Sequence, residues 1–414
     1  MKFEKQRVVE LTTIDEDLEL RNCDVLTPSQ GDTITIRGTL KVRGPLTVQG
    51  SLHVSSIEAK DRIVVEGDLV ADGAVRVKKA NLEVEGSLRA DSVSVGKTLS
   101  VLGDLECSAA KGGGSVRVDG NVRADRVAGG GSVVIRGDVE AERLAAGGAL
   151  TVGGALKVEE IAVGGSVKVG EGSIGSVAVG GSFKARGAVK VGRIAVGGTV
   201  SVGPDSSVSS VDVGGTFEAE GPLKFGRIKA GGTARMAGNS EGKEINVGGK
   251  VTVRGNLTLR ESLEVGGAVT VNGNLVSEED IHVGGSLSVT GEVRARTVDV
   301  GGTAEARVIT AERFAIGRRG EVVGVVAAKS ILIRERARAD VLYGDRVRIE
   351  ERARVKSVYG HDIYIEDRCK VLDRIVYTQE LHLEDVELKN EPEKVDELPP
   401  VEQVIAENIE QDNS

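Results

Sequence analysis

Residues 161–202 read IAVGGSVKVGEGSIGSVAVGGSFKARGAVKVGRIAVGGTVSV, and this stretch decides the fold. A Gly-Gly pair follows a valine three times, at Gly164, Gly180 and Gly197, and apolar and polar residues alternate after each pair. Alternation with a period of two residues is typical of a β-strand that buries one face. Strands of three or four residues are not stable alone, so the repeated units must stack on one another.

The same repeat extends far beyond this stretch. The first glycines of the pairs are Gly130, Gly147, Gly164, Gly180, Gly197, Gly214, Gly231, Gly248, Gly266, Gly284 and Gly301, at intervals of 16 to 18 residues. Three short strands and their turns fill one such interval. The sequence therefore predicts an all-β fold, a long three-sided parallel β-helix (a β-solenoid) of about 17 residues per coil. We expect the glycine pairs at its corners, where a sharp turn needs a positive φ or the absence of a Cβ.

Stacked coils place equivalent residues in columns. One column is apolar throughout and contains Val167, Phe183, Val200, Phe217, Ala234, Val251, Val269, Leu287 and Ala304. The residues that follow these positions, such as Lys168 and Glu218, are polar and are predicted to face water. Alanines at 185 and 219 accompany the two phenylalanines, which indicates that each layer keeps a constant volume.

Four segments follow from the pattern. Residues 1–30 are predicted to form an N-terminal cap or degenerate coils, 31–317 a Gly-rich β-solenoid, 318–386 charged coils, and 387–414 an acidic tail with a short amphipathic helix. In the charged coils we expect Tyr343, Tyr359 and Tyr377 to occupy one column.

The net charge of −9 comes entirely from the tail and the three residues before it. Residues 384–414 contain eleven acids and two lysines, whereas residues 1–383 contain 52 basic and 52 acidic side chains. A neutral solenoid with an acidic tail lacks the net basic surface of a nucleic-acid-binding protein. The charges from Arg334 to Arg374 are interpreted either as solvated ladders or as a contact for an acidic partner such as the tail itself.

The tail contains the candidate partner-binding residues. Val401, Val404, Ile405 and Ile409 lie on one stripe of a predicted helix. The tail as a whole is either a disordered, solvating extension or a partner-binding peptide. The helix is either folded back over the last coil or free to bind a protein partner.

No pattern in the sequence indicates catalysis. The four histidines, at 53, 282, 361 and 382, have no Cys or His at metal-ligand spacing and are expected to point outward. Trp is absent, and Phe and Tyr total nine, which disfavours a carbohydrate-binding groove. We therefore expect no enzyme, no cofactor and no metal.

Localisation is predicted from absent signals and from the cysteines. The first residues lack the apolar region of a secretory signal, and no stretch approaches the ~20 apolar residues of a membrane span. The three cysteines, 23, 107 and 369, are odd in number and far apart, as in a reducing compartment. We therefore expect a cytoplasmic protein.

Several runs resemble the bactofilins and related polymer-forming cytoskeletal proteins. They are VRVDGNVRADRV at 116–127, VVIRGDVEAERL at 133–144 and VGGSVKV at 163–169. The resemblance covers roughly residues 31–317 and is weaker across 318–386. It implies a right-handed helix, a handedness that the repeat itself does not fix. It also implies end-to-end, nucleotide-independent self-assembly into cytoplasmic filaments that act as scaffolds for membrane or envelope proteins. The solenoid is longer than the family's compact domain, and the acidic helical tail departs from its pattern.

The leading hypothesis is thus a structural protein that assembles with copies of itself through the ends of its solenoid. The alternative is a non-polymerising rigid spacer whose acidic tail recruits a protein partner. An enzyme with an unrecognised site is a third hypothesis. Exposed, flat apolar end coils favour polymers, whereas a Phe or Arg plug at both ends favours the spacer.

Overall fold

The computed structural model describes residues 2–4 and 7–412. The fold is an all-β parallel β-solenoid of about 23 turns with roughly 17 residues per turn, which confirms the predicted fold class. Contacts divide the chain into two compact units, Met1–Gly203 and Pro204–Ser414.

The described residues of the first unit form strands β1 to β25. In chain order they are Lys2–Glu4, Val8–Leu11, Thr13–Ile14, Leu18–Arg21, Val25–Pro28, Thr33–Arg43, Leu46–Val48, Ser51–Ala59, Ile63–Val65, Leu69–Val77, Leu82–Val84, Leu88–Val95, Thr98–Val101, Leu105–Gly112, Ser115–Val118, Val122–Gly129, Ser132–Ile135, Val139–Ala146, Ala149–Val152, Leu156–Val163, Ser166–Val169, Gly172–Val179, Ser182–Ala185, Val189–Val196 and Thr199–Val202.

The described residues of the second unit form strands β26 to β47 and one helix, α1. The strands are Ser206–Val213, Thr216–Ala219, Leu223–Ala230, Thr233–Met236, Ser240–Gly242, Glu244–Val247, Lys250–Val253, Leu257–Leu259, Leu263–Val265, Ala268–Val271, Leu275–Ser277, Asp280–Val283, Leu287–Arg294, Thr297–Val300, Thr303–Ile316, Glu321–Ile333, Arg338–Ile349, Arg354–Ile365, Lys370–Val371, Ile375–Leu383, Glu387–Leu388 and Glu393–Lys394. Helix α1 spans Val401–Asp412.

Each coil has three sides. In β12 (Leu88–Val95) burial alternates, breaks at Asp91 and Ser92, and then alternates again. The short β13 (Thr98–Val101) supplies a third run with the same alternation. The apolar members of all three runs point into the coil, so each side contributes two side chains to one thin layer of core.

The strands pair in parallel and in register with the next coil, which turns these layers into continuous columns. In the first unit one column runs through Leu88, Leu105, Val122, Val139 and Leu156, and each is at most 3% exposed. In the second unit an equivalent column contains Val251, Val269, Leu287, Ala304 and Val322. Full burial of one valine or leucine contributes about 1.5–3 kcal/mol, so the core grows by equal steps as coils are added.

The largest side chains of the core are balanced by small ones. Phe217 lies over Ala234 in the register of the next coil, and Ala219 lies over Met236. All four are at most 1% exposed. A large residue is therefore next to a small one both within a coil and between coils, as close packing requires.

Variations in coil length are absorbed at corners. The 16-residue coil loses its residue between β21 and β22, where Gly172 adopts a φ of +137°. The two 18-residue coils carry an extra residue between β33 and β34 and between β36 and β37. Since a one-residue shift within a strand would turn its apolar side chains outward, the corners keep the sides in phase.

The glycine pairs lie at a corner, as expected. Of the two expected reasons, a positive φ or the absence of a Cβ, only the second applies. Glycines with a positive φ among the described residues are Gly31, Gly44, Gly50, Gly172 and Gly324, and none of them belongs to a pair. A Cβ on Gly198 would instead meet the carbonyl oxygen of Gly181 at 2.5 Å, and one on Gly248 would meet that of Gly231 at 2.6 Å. The pairs are needed because successive coils approach too closely for a side chain.

This close approach predicts that Gly198→Ala destabilises the first unit. A Cβ at 2.5 Å from a backbone oxygen forces the coils apart. We expect a loss of about 1–3 kcal/mol in the free energy of unfolding, the usual cost of overpacking. Urea denaturation of the full chain measures it. Gly114→Ala is the matched control, because its nearest atom lies at 3.2 Å; an equal loss for both variants would contradict the explanation.

Another corner is held by side-chain hydrogen bonds. The backbone N–H of Asn121 donates to Asp104 Oδ1 at 2.7 Å, and that of Asp138 donates to Asn121 Oδ1 at 2.8 Å. In the second unit Asn256 and Asn274 donate in the same way to the asparagine one coil earlier, at 2.9 and 2.8 Å. These short polar side chains satisfy backbone donors that the turn leaves unpaired.

The charged coils form their corner with a different backbone conformation. Arg319, Arg336, Arg352 and Arg368 have φ angles of 58° to 60° and follow one another at a spacing of one coil. The N–H of Arg336 donates to the carbonyl of Glu351 at 3.0 Å, and that of Arg352 donates to the carbonyl of Asp367 at 3.0 Å. A left-handed turn thus replaces the glycine pair here, and hydrogen bonds to the next coil hold it in place.

The predicted column of three tyrosines was wrong at its last member. Tyr343 and Tyr359 are in register, but Tyr359 pairs with Val376, and Tyr377 pairs with Gly360. Tyr377 therefore occupies the column of Gly344 and Gly360, one position away from the other two tyrosines. The reason is that Tyr377 follows Tyr359 by 18 residues, while the register of this coil advances by 17.

Candidate assembly surfaces

One outward face of the second unit is apolar. Val325, Val341, Tyr359 and Val376 belong to successive coils and form a hydrophobic cluster with the tail residues Leu398 and Val404. The four solenoid residues are at most 5% exposed. Tyr343 is partly buried beside them. We call Val325, Val341, Tyr343, Tyr359 and Val376 the tail-binding face.

Residues of the tail cover the tail-binding face. Of the candidate residues, Val404 is 3% exposed and packs in this cluster, and Ile405 is partly buried against it. Val401, at the start of α1, is half-buried. The side chain of Ile409 lies outside the described residues. The structure thus brings Val404 and Ile405 together on the tail-binding face, with the helix folded back along the solenoid.

Sequence reasoning did not find the tail-binding face. Its signal is the run VVGVVAA at 322–328, in which the alternation of apolar and polar residues is lost. A strand that is apolar at consecutive positions is typically buried on both faces. Here Val326 lies in the core and Val325 lies under the tail.

Charged groups surround the docked helix. Arg374 Nη1 lies 3.9 Å from Glu407 Oε2, so the charged coils do contact the acidic tail. Burial raises the pKa of Tyr359 and of Tyr343, and the nearby Glu402 raises the pKa of Tyr343 further. Both phenols are therefore neutral when the tail is in place.

The docked helix also has a defect. Asn408 is 5% exposed, and its Oδ1 is buried without a hydrogen-bond partner among the described residues. A buried acceptor left unpaired costs about 1–3 kcal/mol. This cost reduces the free energy that the apolar contact contributes to holding the tail in place.

The C-terminal end of the solenoid is only partly covered. Strand β46 pairs with β44, and β47 pairs with the first part of β45, so tail strands lie on two sides of the last coil. On the third side, the part of β45 from Glu380 to Leu383 pairs with β43 alone among the described strands. That stretch presents an unpaired strand edge.

The core columns end here in leucines that are only half-buried. Leu381 and Leu383 continue the columns of Ile363 and Ile365, and Leu388 continues that of Val371. The isoleucines and Val371 are at most 3% exposed, whereas all three leucines are half-buried. The last layer of core is therefore incomplete.

The N-terminal end also presents strand edges. Strands β1, β2 and β3 pair in parallel with β4, β5 and β6, and in the described part of the chain they have no partner on their other edge. Their apolar side chains are covered better than those at the C-terminal end, since Val9, Leu11 and Ile14 are 4%, 9% and 8% exposed.

The described histidines and cysteines have local contacts or are buried. Among the described residues no three His, Cys, Asp or Glu side chains are placed to hold a metal ion. His361 Nδ1 lies 2.6 Å from Thr378 Oγ1, and His382 stacks on Tyr364 with ring centroids 4.8 Å apart. All three cysteines are buried, and burial raises the pKa of Cys107 to about 12, so its thiol is unreactive at neutral pH.

Comparison with protein families gives a match at residues 245–342, to the model described as bactofilin, polymer-forming cytoskeletal. These residues match the model of a bactofilin domain, and the match covers less than half of the chain. The bactofilin family is structural and non-enzymatic. Neither the curated proteins nor the solved structures include a significant match.

The matched region lies within the second unit and reaches the tail-binding face. It runs from β31 into β42 and includes Val325 and Val341, while Tyr343 directly follows it. The match is narrower than the expected 31–317, and it extends into the charged coils, where a weaker resemblance was expected. In the described part of the chain no helix has the length and apolar character that would let it cross a bilayer.

Proposed function

We propose that this chain is a bactofilin-like structural protein that assembles with copies of itself through the ends of its solenoid, forming nucleotide-independent cytoplasmic filaments or scaffolds. The observation that carries the proposal is the end of the second unit, where an unpaired strand edge and half-buried core leucines lie two coils beyond the residues that match the bactofilin model. Peripheral association with membrane or envelope proteins is part of the same proposal.

The physical drive is the same as within the solenoid. Each internal coil pairs its N–H and C=O groups with both neighbours and buries its apolar layer between them. An end coil lacks one neighbour, so an added coil would satisfy the edge of β45 and bury Leu381 and Leu383. These contacts need no nucleotide, because strand pairing and apolar burial are favourable in themselves.

A non-polymerising spacer is the second candidate, and one observation favours it. The tail strands already lie on two sides of the last coil, and α1 is docked on the tail-binding face. In that alternative the tail closes the solenoid and recruits a protein partner.

Negative-stain electron microscopy and sedimentation of the purified full chain, without nucleotide, distinguish the two. We expect unbranched filaments that pellet above a critical concentration. Addition of a nucleotide should leave that concentration unchanged. Discrete particles that stay in the supernatant at every concentration would contradict the proposal and favour the spacer.

A further inference from the structure

The C-terminal tail touches both the end and the side of the solenoid. We propose that residues 387–408 form a releasable cap over a self-association surface, and that the occupant excluded by the cap is an end coil of a second copy of this chain. The inference rests on the proposed function and adds to it a means of controlling assembly.

The first support is the position of the tail strands. Glu387 N–H donates to the carbonyl of Cys369 at 2.9 Å, and Lys389 N–H to that of Val371 at 3.2 Å. Val395 N–H donates to the carbonyl of Tyr377 at 2.9 Å. These carbonyls lie on the edge to which a further coil would have to bind. While the tail is in place, two of the three sides cannot pair with another molecule.

The second support is that the cap is a poor substitute for a coil. Strands β46 and β47 have two residues each, whereas β41 to β43 have twelve or thirteen. The cap also leaves Leu381 and Leu383 half-buried. A full coil of a second copy would form more hydrogen bonds and bury more of these leucines, so it competes favourably once the tail is displaced.

The third support is how the cap is anchored. Two-residue strands are not stable alone, so they depend on the contact of Leu398 and Val404 with the tail-binding face. That contact is weakened by the buried Oδ1 of Asn408, which has no hydrogen-bond partner in the described part of the chain. The 12-residue helix also has no basic residue in its last turn, and isolated helices of this length are marginal in water. Release of the helix therefore removes the anchor of both strands.

Ionic contacts complete the cap. Lys370 Nζ lies 2.5 Å from Glu387 Oε2, and Lys394 Nζ lies 5.8 Å from the centre of the Tyr377 ring. With the Arg374–Glu407 pair, they tie the tail to the last coils by charges near the surface. Such contacts weaken as salt rises, whereas the apolar end coil does not depend on them.

The test compares two substitutions on the same helix. Val404→Asp places a charge in the buried cluster, and Ala406→Asp places the same charge at an exposed position two residues away. Sedimentation of the full chain without nucleotide gives the critical concentration for assembly. We expect Val404→Asp to lower it by about tenfold or more, the effect of roughly 1.4 kcal/mol, and Ala406→Asp to leave it within about twofold of the unchanged protein.

A second variant keeps the test decisive. Deletion of residues 387–414 removes the cap outright, and electron microscopy separates its filaments from amorphous aggregates. Filaments at a lower concentration support the cap even if Val404→Asp leaves the tail docked. If the unchanged protein assembles and the deletion does not lower its critical concentration, the cap is refuted and the proposed function stands. If none of these proteins assembles, the proposed function fails, and the cap fails with it.

Discussion

Leu383→Glu is expected to abolish filament assembly while leaving the monomer folded. Leu383 continues a buried column at the end of the second unit, but it is itself half-buried, so the monomer tolerates a carboxylate there. In a filament the same carboxylate would be buried against an added coil without a partner. An uncompensated charge at an interface costs about 2–5 kcal/mol, which raises the critical concentration by roughly 30-fold to several thousand-fold.

Leu372→Glu is the matched control for this experiment. Leu372 is 50% exposed, and its main chain is already hydrogen-bonded within the last coils. We expect this variant to assemble like the unchanged protein, as measured by sedimentation, with circular dichroism confirming that both variants are folded. Assembly of a folded Leu383→Glu variant at the ordinary concentration would show that this end is not the contact between molecules.

Phe217→Ala is expected to cost the second unit about 3–5 kcal/mol, the usual loss for a buried phenylalanine. Phe217 is fully buried, and its neighbours Ala219 and Ala234 are too small to fill the space that it would leave. Because each coil contacts only the next ones, we expect the loss to be concentrated in β27 to β29. Urea denaturation gives the total loss, and hydrogen exchange gives its location.

Val323→Ala serves as the comparison for the core substitution. Val323 is 39% exposed on β41, so we expect a change of no more than about 0.5 kcal/mol in the free energy of unfolding. Equal losses for the two variants, or a loss below about 1 kcal/mol for Phe217→Ala, would contradict the layered core described above.

The coil was predictable from the sequence because its signals are local. The alternation around Val167 and Phe183 determines which residues face inward, and the spacing of the glycine pairs gives the length of a turn. The structure confirms the parallel solenoid of roughly 17 residues per turn. A regular repeat makes every local contact appear many times, so a wrong assignment at one position does not change the predicted fold.

Contacts that occur once were harder to predict. The apolar stripe of the helix was visible in the sequence, but the tail-binding face on which it packs was not. Val325 and Val404 are far apart in the sequence and come together in one cluster only in the folded chain. The predicted position of Tyr377 was wrong, because a change of one residue in coil length moves its side chain to the other face of the strand. The unpaired edge of β45 depends on where the tail turns back, which no local pattern specifies.

The corner glycines have an evolutionary consequence. Since Gly198 fits against Gly181 as Gly248 fits against Gly231, gene duplication or deletion of a whole repeat would join surfaces that already match. The number of coils can thus drift between lineages with little selection against it, whereas single-codon insertions within a strand would be purged. We expect the length of such chains to vary among descendants in steps of about 17 residues.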